Sequence, residues 1–508
     1  REYRIHIMQK TFKKKRGSGV LLHITSLPGK YGIGEIGEEA KIFIDNLIQM
    51  NQSYWQILPT NFPETCDSPY DTNSAFAQNP YLISLDSLIN DKLISSADLE
   101  PIPKFKKDII DFKKLKDWKN PILKKAAYNF SILNNKDVEQ DYKKFCIKNN
   151  FWLNDYALFM VIKSFQKNKS WDEWDHQYKN LDKKSLKQIG IKFNDKIQEI
   201  KILQYLFNKQ WKVLKSYAYD KGLEIIGDIP IYISFNSADV WKNQSLFKLD
   251  DNYKMKYQSG CPPDHFMEDG QLWGHPIYDW DVHMKTGFEW WINRIKFLID
   301  HVDIVRVDHF NGFAKYWEVP AKDSTAVNGK WEKAKGMELL REVFKSNNKV
   351  FLIAEDLGEA SLDAAVIRKQ YNIPGMEVLQ YALYDEYPLK NMQENTVLYT
   401  GTHDNDTSLG WYKTISKGTD QNKIKHVENI LDLDAKEVNW SMIEYSLESK
   451  AFIVMVPIQD LLGLSSEGRM NTPGTISNQN WSWRMEAHDL QASIKEKMKK
   501  ITKKANRV

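Results

Sequence analysis

Asp303-Ile304-Val305-Arg306-Val307-Asp308-His309-Phe310 reads as a short buried strand, Ile304–Val307, that breaks off into a carboxylate, an imidazole and an aromatic ring. Side chains alternate faces along a strand, so Arg306 and Asp308 share one side and Val305 and Val307 take the other. A guanidinium one pleat away favours the charged form of a carboxylate, and Asp308 is expected to stay ionised at neutral pH. Taken alone, the segment fits a structural Arg–Asp pair as well as a working carboxylate.

The same grammar, an apolar run ending in polar residues, recurs on both sides. Upstream are Gly19–Ile24, Tyr54–Leu58 and Leu223–Pro230; downstream are Val350–Asp356, Met376–Gln380, Thr396–Asp404 and Phe452–Pro457. Helical stripes separate them. Ala40, Phe43, Ile44, Leu47 and Ile48 keep the spacing of one buried helix face, and so do Phe288, Trp291, Ile292, Ile295, Leu298, Ile299 and Val302. Eight strands alternating with helices predict an α/β fold, a (β/α)₈ TIM barrel. An open doubly wound sheet is the alternative, but no Gly-rich phosphate fingerprint follows the first strand.

No repeat or linker divides the chain, so residues 17–486 read as a single decorated catalytic domain. Insertions are expected at about 60–200, mostly helical, and as loops at 234–286 and 311–335, all around the C-terminal face. An amphipathic helix is expected to resume at Leu203, and residues 487–508 form a C-terminal helix and basic tail.

In such a barrel the active site lies at the C-terminal strand ends. There the sequence puts Asp228, Asp308, Glu355-Asp356 and His403-Asp404. Each could cap a helix or pair with a base, but like charges crowded round one mouth destabilise a fold unless they work. Parity groups Phe351, Ile353 and Glu355 on one face, and Leu398, Thr400, Thr402 and Asp404 on another. If these faces point into the mouth, Glu355 and Asp404 project at a substrate. Acids without cofactor motifs suit metal-assisted hydrolysis or glycosyl transfer. His23, His265, His275, His309 and His403 lack metal-ligand spacing, and we expect no metal and no cofactor. Glycosyl transfer needs an ionised nucleophile, a proton-shuttling acid and rings on which sugars lie. Tyr70, Trp273, Tyr278, Tyr316 and Trp317 flank these motifs.

Composition narrows the partners. The 71 basic residues nearly balance 67 acidic ones, for a net charge of +4, and the Lys-rich stretches are interleaved with acids, so no nucleic-acid footprint is present. No apolar run predicts a membrane span. Cys66, Cys146 and Cys261 are scattered and odd in number, the pattern of reduced thiols. A cytoplasmic location is expected, or the plastid stroma after removal of a transit peptide.

Taken together, the motifs resemble those of glycoside hydrolase family 77, the 4-α-glucanotransferases of the α-amylase clan. The similarity runs from about Gly19 to Arg484 and is carried by Ser68-Pro69-Tyr70, Gly227–Tyr232, Ser237–Trp241, Pro262-Pro263-Asp264, Gly270–Gly274, Arg306–Phe310, Ala354–Gly358, Gly401–Thr407 and Gly468–Thr475. The resemblance implies a retaining transfer of α-1,4-glucan segments in which Asp308 is the nucleophile, Glu355 the acid/base and Asp404 the transition-state stabiliser. It further implies donor-site contacts at Asp228, Arg306, His309 and His403, stacking at Tyr70 and Trp273, a cleft-covering loop at Asp264, and substrate binding at Gln271. Loops 258–267 and 459–470 supply material for a lid. Partners would be malto-oligosaccharides and starch or glycogen chain ends, and the protein itself a monomer or small homo-oligomer. A hydrolase of the same clan and an inactive glucan-binding scaffold are the competing functions. Three positions depart from the family: Asn311 where it usually has Arg, His275 where it usually has Asn, and Asn236 near a usual acid. The first bears on donor affinity or chain-length preference.

Overall fold

The computed structural model describes residues 16–263, 268–347, 349–358, 361–433 and 437–508. Eight parallel strands are present in the expected order: Gly17–Leu21, Tyr54–Gln56, Glu224–Pro230, Ile304–Asp308, Leu352–Ala354, Gly375–Val378, Thr396–Tyr399 and Ile453–Pro457. Their hydrogen-bonded sequence is six, seven, eight, one, two, three, four, five. The Ala354 N–H donates to the Pro374 carbonyl at 2.9 Å, joining the fifth strand to the entrance of the sixth. The strands thus curl into a (β/α)₈ barrel with helices outside it.

Alternation along the strands sorts the core into two parts. Tyr54, Ile226, Ile304, Ile353, Met376, Val397, Tyr399, Ile453 and Met455 pack together as the barrel interior, with Phe351 and Phe452 against them. The intervening residues, among them Val20, Trp55, Ile225, Val305, Val307 and Leu398, join the larger cluster beneath the helices. Gly19 lets the first two strands approach, because a Cβ there would lie 2.4 Å from the Tyr54 carbonyl oxygen. The parity expected for Arg306/Asp308 and for Phe351/Ile353/Glu355 matches the interior face. Strand seven does not follow expectation. Val397 and Tyr399 face inward, Leu398 faces the helices, and the strand stops at Tyr399.

The segment after the second strand is helical, including Phe112–Ser131, Lys136–Lys148 and Asn150–Phe165. The helix that returns the chain to the third strand runs unbroken from Asn194 to Asp220, across the point where the sequence suggested a boundary. Lys119, fully buried on the first of these helices, ion-pairs with Glu35 and donates to the Tyr81 and Ile83 carbonyls at 2.8 and 2.9 Å.

The segments at 234–286 and 311–335, expected as loops, contain strands instead. Gln271–Pro276, Tyr257–Cys261, Lys315–Pro320 and Lys330–Lys333 line up in that order as one antiparallel sheet. Loops from two different barrel strands therefore share a single hydrogen-bonded layer. At the C-terminus, helix Ala492–Lys504 is followed by the buried Arg507, whose guanidinium donates to the carbonyls of Gly17, Leu447 and Ser449. Among the described residues no helix is long and apolar enough to cross a membrane.

Candidate active site

A cleft of about 810 Å³ opens at the C-terminal mouth of the barrel. Of the residues singled out from the sequence, Tyr70, Gln271, Trp273, Arg306, Asp308, His309, Glu355, His403 and Asp404 line it. Asp228 lies one layer beneath, buried. Asp264 and His265 fall outside the described residues.

Strands three and four set the floor. Arg306 Nη1 donates to Asp228 Oδ2 at 2.6 Å and to Asp308 Oδ1 at 3.0 Å. Burial works against the Arg306 charge, but Asp228 and then Asp308 outweigh it and hold its pKa well above the ordinary value. Asp228 is pushed upward, chiefly by burial, with Arg306 opposing. The Tyr70 hydroxyl donates to the same Asp228 oxygen at 2.8 Å, and its ring stacks on His403 at 5.0 Å and 15°. Burial, then Asp228, raises the Tyr70 pKa well above 10.0 and keeps its proton in place.

Strand five brings in the second carboxyl. The Glu355 N–H donates to the Val307 carbonyl at 3.1 Å, extending the ladder one residue past Ala354 and keeping Glu355 on the interior face. Beyond Asp308 the chain turns sharply. His309 adopts φ 49°, ψ 48°, a left-handed conformation that costs a non-glycine residue on the order of 1–3 kcal/mol. In this pose the His309 N–H donates to Glu355 Oε2 at 2.5 Å. Burial and then the Asp308 charge raise the Glu355 pKa from 4.5 to about 7, against Arg306 and the His309 N–H. The His309 ring meets Trp273 edge-on at 4.7 Å, and burial lowers its pKa to about 4, so it is neutral.

Asp404 reaches the cleft by a different route from the one expected. Strand seven has already ended. The turn carrying Asp404 is held by the Thr402 N–H donating to Asn405 Oδ1 at 2.9 Å and the Asp404 N–H to Thr402 Oγ1 at 3.2 Å. Asn471 Nδ2 then donates to Asp404 Oδ1 at 2.6 Å, and Arg469 Nη2 to the Asp404 carbonyl at 2.7 Å. Neither Arg469 nor Asn471 was assigned a part from the sequence, although both lie in the quoted segment Gly468–Thr475.

The aromatic lining also differs from expectation. Tyr278 and Tyr316 are buried in packing, and Trp317 donates to the Ala326 carbonyl at 2.8 Å. The cleft instead gains Tyr232, Tyr381, Tyr384, Trp411 and Trp481. Tyr381 and Tyr384 follow the sixth strand and are 56% and 37% exposed; Lys423 Nζ lies 3.6 Å over the Tyr384 ring, which leaves Tyr381 with the more open ring surface. Of the three departures, Asn311 is buried and its Nδ2 donates to the Leu357 carbonyl at 2.6 Å. His275 lines the cleft over Tyr232, and Asn236 Nδ2 donates to Glu64 Oε1 at 2.8 Å. Among the described residues no group of three His, Cys, Asp or Glu side chains is arranged to hold a metal ion.

The chain has known counterparts. The glycoside hydrolase family 77 model, described as 4-alpha-glucanotransferase, matches residues 22–490. The 4-alpha-glucanotransferase of Streptococcus pneumoniae is 40% identical over 496 residues, covering 96% of this chain and 97% of that protein. The chloroplastic/amyloplastic 4-alpha-glucanotransferase of Solanum tuberosum is 38% identical over 482 residues, covering 93% and 82%. Among solved structures, amylomaltase from Streptococcus agalactiae in complex with acarbose superposes with a TM-score of 0.92 at 37% identity, covering 97% of this chain and all (100%) of that one. A barrel mouth lined by acids and rings, in a chain similar along nearly its whole length to these transferases, belongs to glycoside hydrolase family 77, the 4-α-glucanotransferases, and the protein is an enzyme of that family.

Proposed function

We propose that the chain moves α-1,4-glucan segments from donor to acceptor by a retaining double displacement, with malto-oligosaccharides and starch or glycogen chain ends as substrates. Asp308 Oδ attacks the anomeric carbon of the donor sugar at the cleavage point. The bond from that carbon to the leaving 4-oxygen breaks, and the oxygen takes the proton of Glu355. An acceptor 4-hydroxyl then attacks the same carbon, returns its proton to Glu355 and releases the Asp308 carboxylate. Two inversions give net retention. Asp404 binds hydroxyls of the same sugar and stabilises the positively charged transition state; Arg306 orients Asp308 through its hydrogen bond.

The single observation that carries this reading is the pairing of Asp308 with Glu355. The two lie on adjacent strands, bridged by the His309 N–H, and Glu355 is raised to about 7 beside an aspartate anchored by Arg306. An acid raised to about 7 beside a carboxylate hydrogen-bonded to a guanidinium suits an acid/base facing a nucleophile. The acarbose complex of the Streptococcus agalactiae relative supports the substrate class. Transfer in place of hydrolysis requires that an acceptor outcompete water, and the exposed ring of Tyr381 offers a surface on which such an acceptor lies.

Maltotriose tests the reading. The expected products are glucose and chains longer than maltotriose, and Asp308→Asn or Glu355→Gln abolishes them with the fold retained. Shorter chains alone would assign a hydrolase, and wild-type turnover in either variant would remove the roles given to these residues.

A further inference from the structure

A second pocket, of about 400 Å³, shares no lining residue with the cleft. Helix Asn150–Phe165, the short helix Ala238–Lys242 and the start of helix Glu289–His301 form its walls. Trp152, Tyr156 and Trp290 are buried in its floor, whereas Phe151 is 46% exposed and stands edge-on to Phe76 at 5.3 Å. The rim is polar. Ser245, Glu289 and Asn293 make no side-chain hydrogen bond or ion pair with the described residues.

Charge and shape sort the ligands. Asp155 is occupied by Lys242 at 3.0 Å, and Asp239 accepts from the Ala75 N–H at 2.8 Å and Trp290 Nε1 at 3.0 Å. What is left unpaired at the mouth is one carboxylate, one amide and one hydroxyl. A phosphate or carboxylate ligand would meet Glu289 with no free cation to offset it. A neutral ligand with an apolar face and a rim of hydroxyls meets the exposed Phe151 ring on one side and these three groups on the other. A glucosyl unit has that form, and the volume lies in the range of about 300–1,000 Å³ common to small-molecule sites.

We propose that this pocket is a second α-glucan-binding site, outside the catalytic cleft, that holds glucosyl units of a long chain; the choice of glucan rests on the function proposed above. Because a polymer offers many identical units, a weak second contact raises retention of long chains and leaves short ones unaffected.

The test is the Phe151→Ala/Asn293→Ala double variant, with both changes at the rim, compared with the wild-type chain. Two measurements are made: retardation in native gels containing soluble amylose, and the kinetics of maltotriose disproportionation. The expected result is retardation weakened severalfold and a KM for amylose raised threefold or more, with kcat/KM on maltotriose unchanged. Retardation equal to wild type, or a wild type that amylose does not retard, overturns the proposal. A parallel loss on maltotriose also overturns it, since the residues would then be supporting the cleft. A wild-type chain that fails to disproportionate maltotriose but is retarded by amylose, with the retardation weakened in the double variant, supports the pocket and counts against the catalytic function instead.

Discussion

The backbone N–H of His309 donates to Glu355 Oε2 at 2.5 Å, so the residue that follows Asp308 in the chain holds the carboxyl facing it. That N–H spans the gap between strands four and five at the point where His309 turns the chain through a left-handed conformation. One backbone donor thereby ties the end of strand four to a side chain from strand five.

The first prediction concerns pH. In the proposed mechanism Glu355 carries a proton for the leaving group to depart, so kcat/KM on maltotriose is expected to decline as pH rises through about 7. Its folded value lies above its ordinary 4.5. The stability that this proton confers is therefore complete below about 4.5 and lost as pH climbs through about 7. Asp308→Asn removes the neighbouring negative charge and lowers the Glu355 pKa. A carboxyl titration followed by NMR, unchanged between wild type and variant, would contradict the pairing.

Arg306→Met should destabilise the protein by about 3–5 kcal/mol, because the buried Asp228 loses its cation. Urea unfolding measures this. Adding Asp228→Asn to the same variant is expected to recover part of the loss, since the buried group is then neutral. No recovery would mean that the guanidinium acts through packing alone.

Asn471→Ala removes the amide that holds Asp404 Oδ1. A hydrogen bond to a charged group contributes about 1.5–3 kcal/mol, which corresponds to a fall in kcat/KM of roughly ten- to a hundredfold. Asn471→Asp should be worse than alanine, because it sets a second anion against Asp404. Kinetics indistinguishable from wild type in the alanine variant would show that the turn at 402–405 positions Asp404 unaided.

Asn311→Ala leaves the Leu357 carbonyl without its amide partner, two residues past Glu355. The expected cost is about 1–3 kcal/mol of stability, read as a lower Tm, with kcat falling further than KM changes. Loss of donor affinity with kcat intact would instead make Asn311 a substrate contact.

What could be read from the chain before its structure follows physical lines. Buried parallel strands are continuous apolar runs, and all eight stood out for that reason. Parity worked where a strand continues to the functional residue, as at Asp308 and, through one extra ladder bond, at Glu355. It failed at Asp404, because the chain leaves the sheet at Tyr399 and a turn decides the rest. The small sheet escaped notice because its strands are short and mostly Gly- or Pro-bearing, and its central pairing, Tyr257–Cys261 with Lys315–Pro320, joins residues about sixty positions apart, so local periodicity gives little sign of it. Tyr278 and Tyr381 show the limit for rings: one is core and the other cleft, and their own sequence neighbourhoods carry no mark of the difference.

The antiparallel sheet that laces residues 257–276 to residues 315–333 has a bearing on engineering. Gln271 and Trp273 enter the cleft from it, so these two stretches behave as one interchangeable module. Transplanting only one of them into a relative would strip the other of its strand partner and leave a bare row of amides and carbonyls, an invitation to self-association. Chimeras built on this sheet have to carry both halves across together.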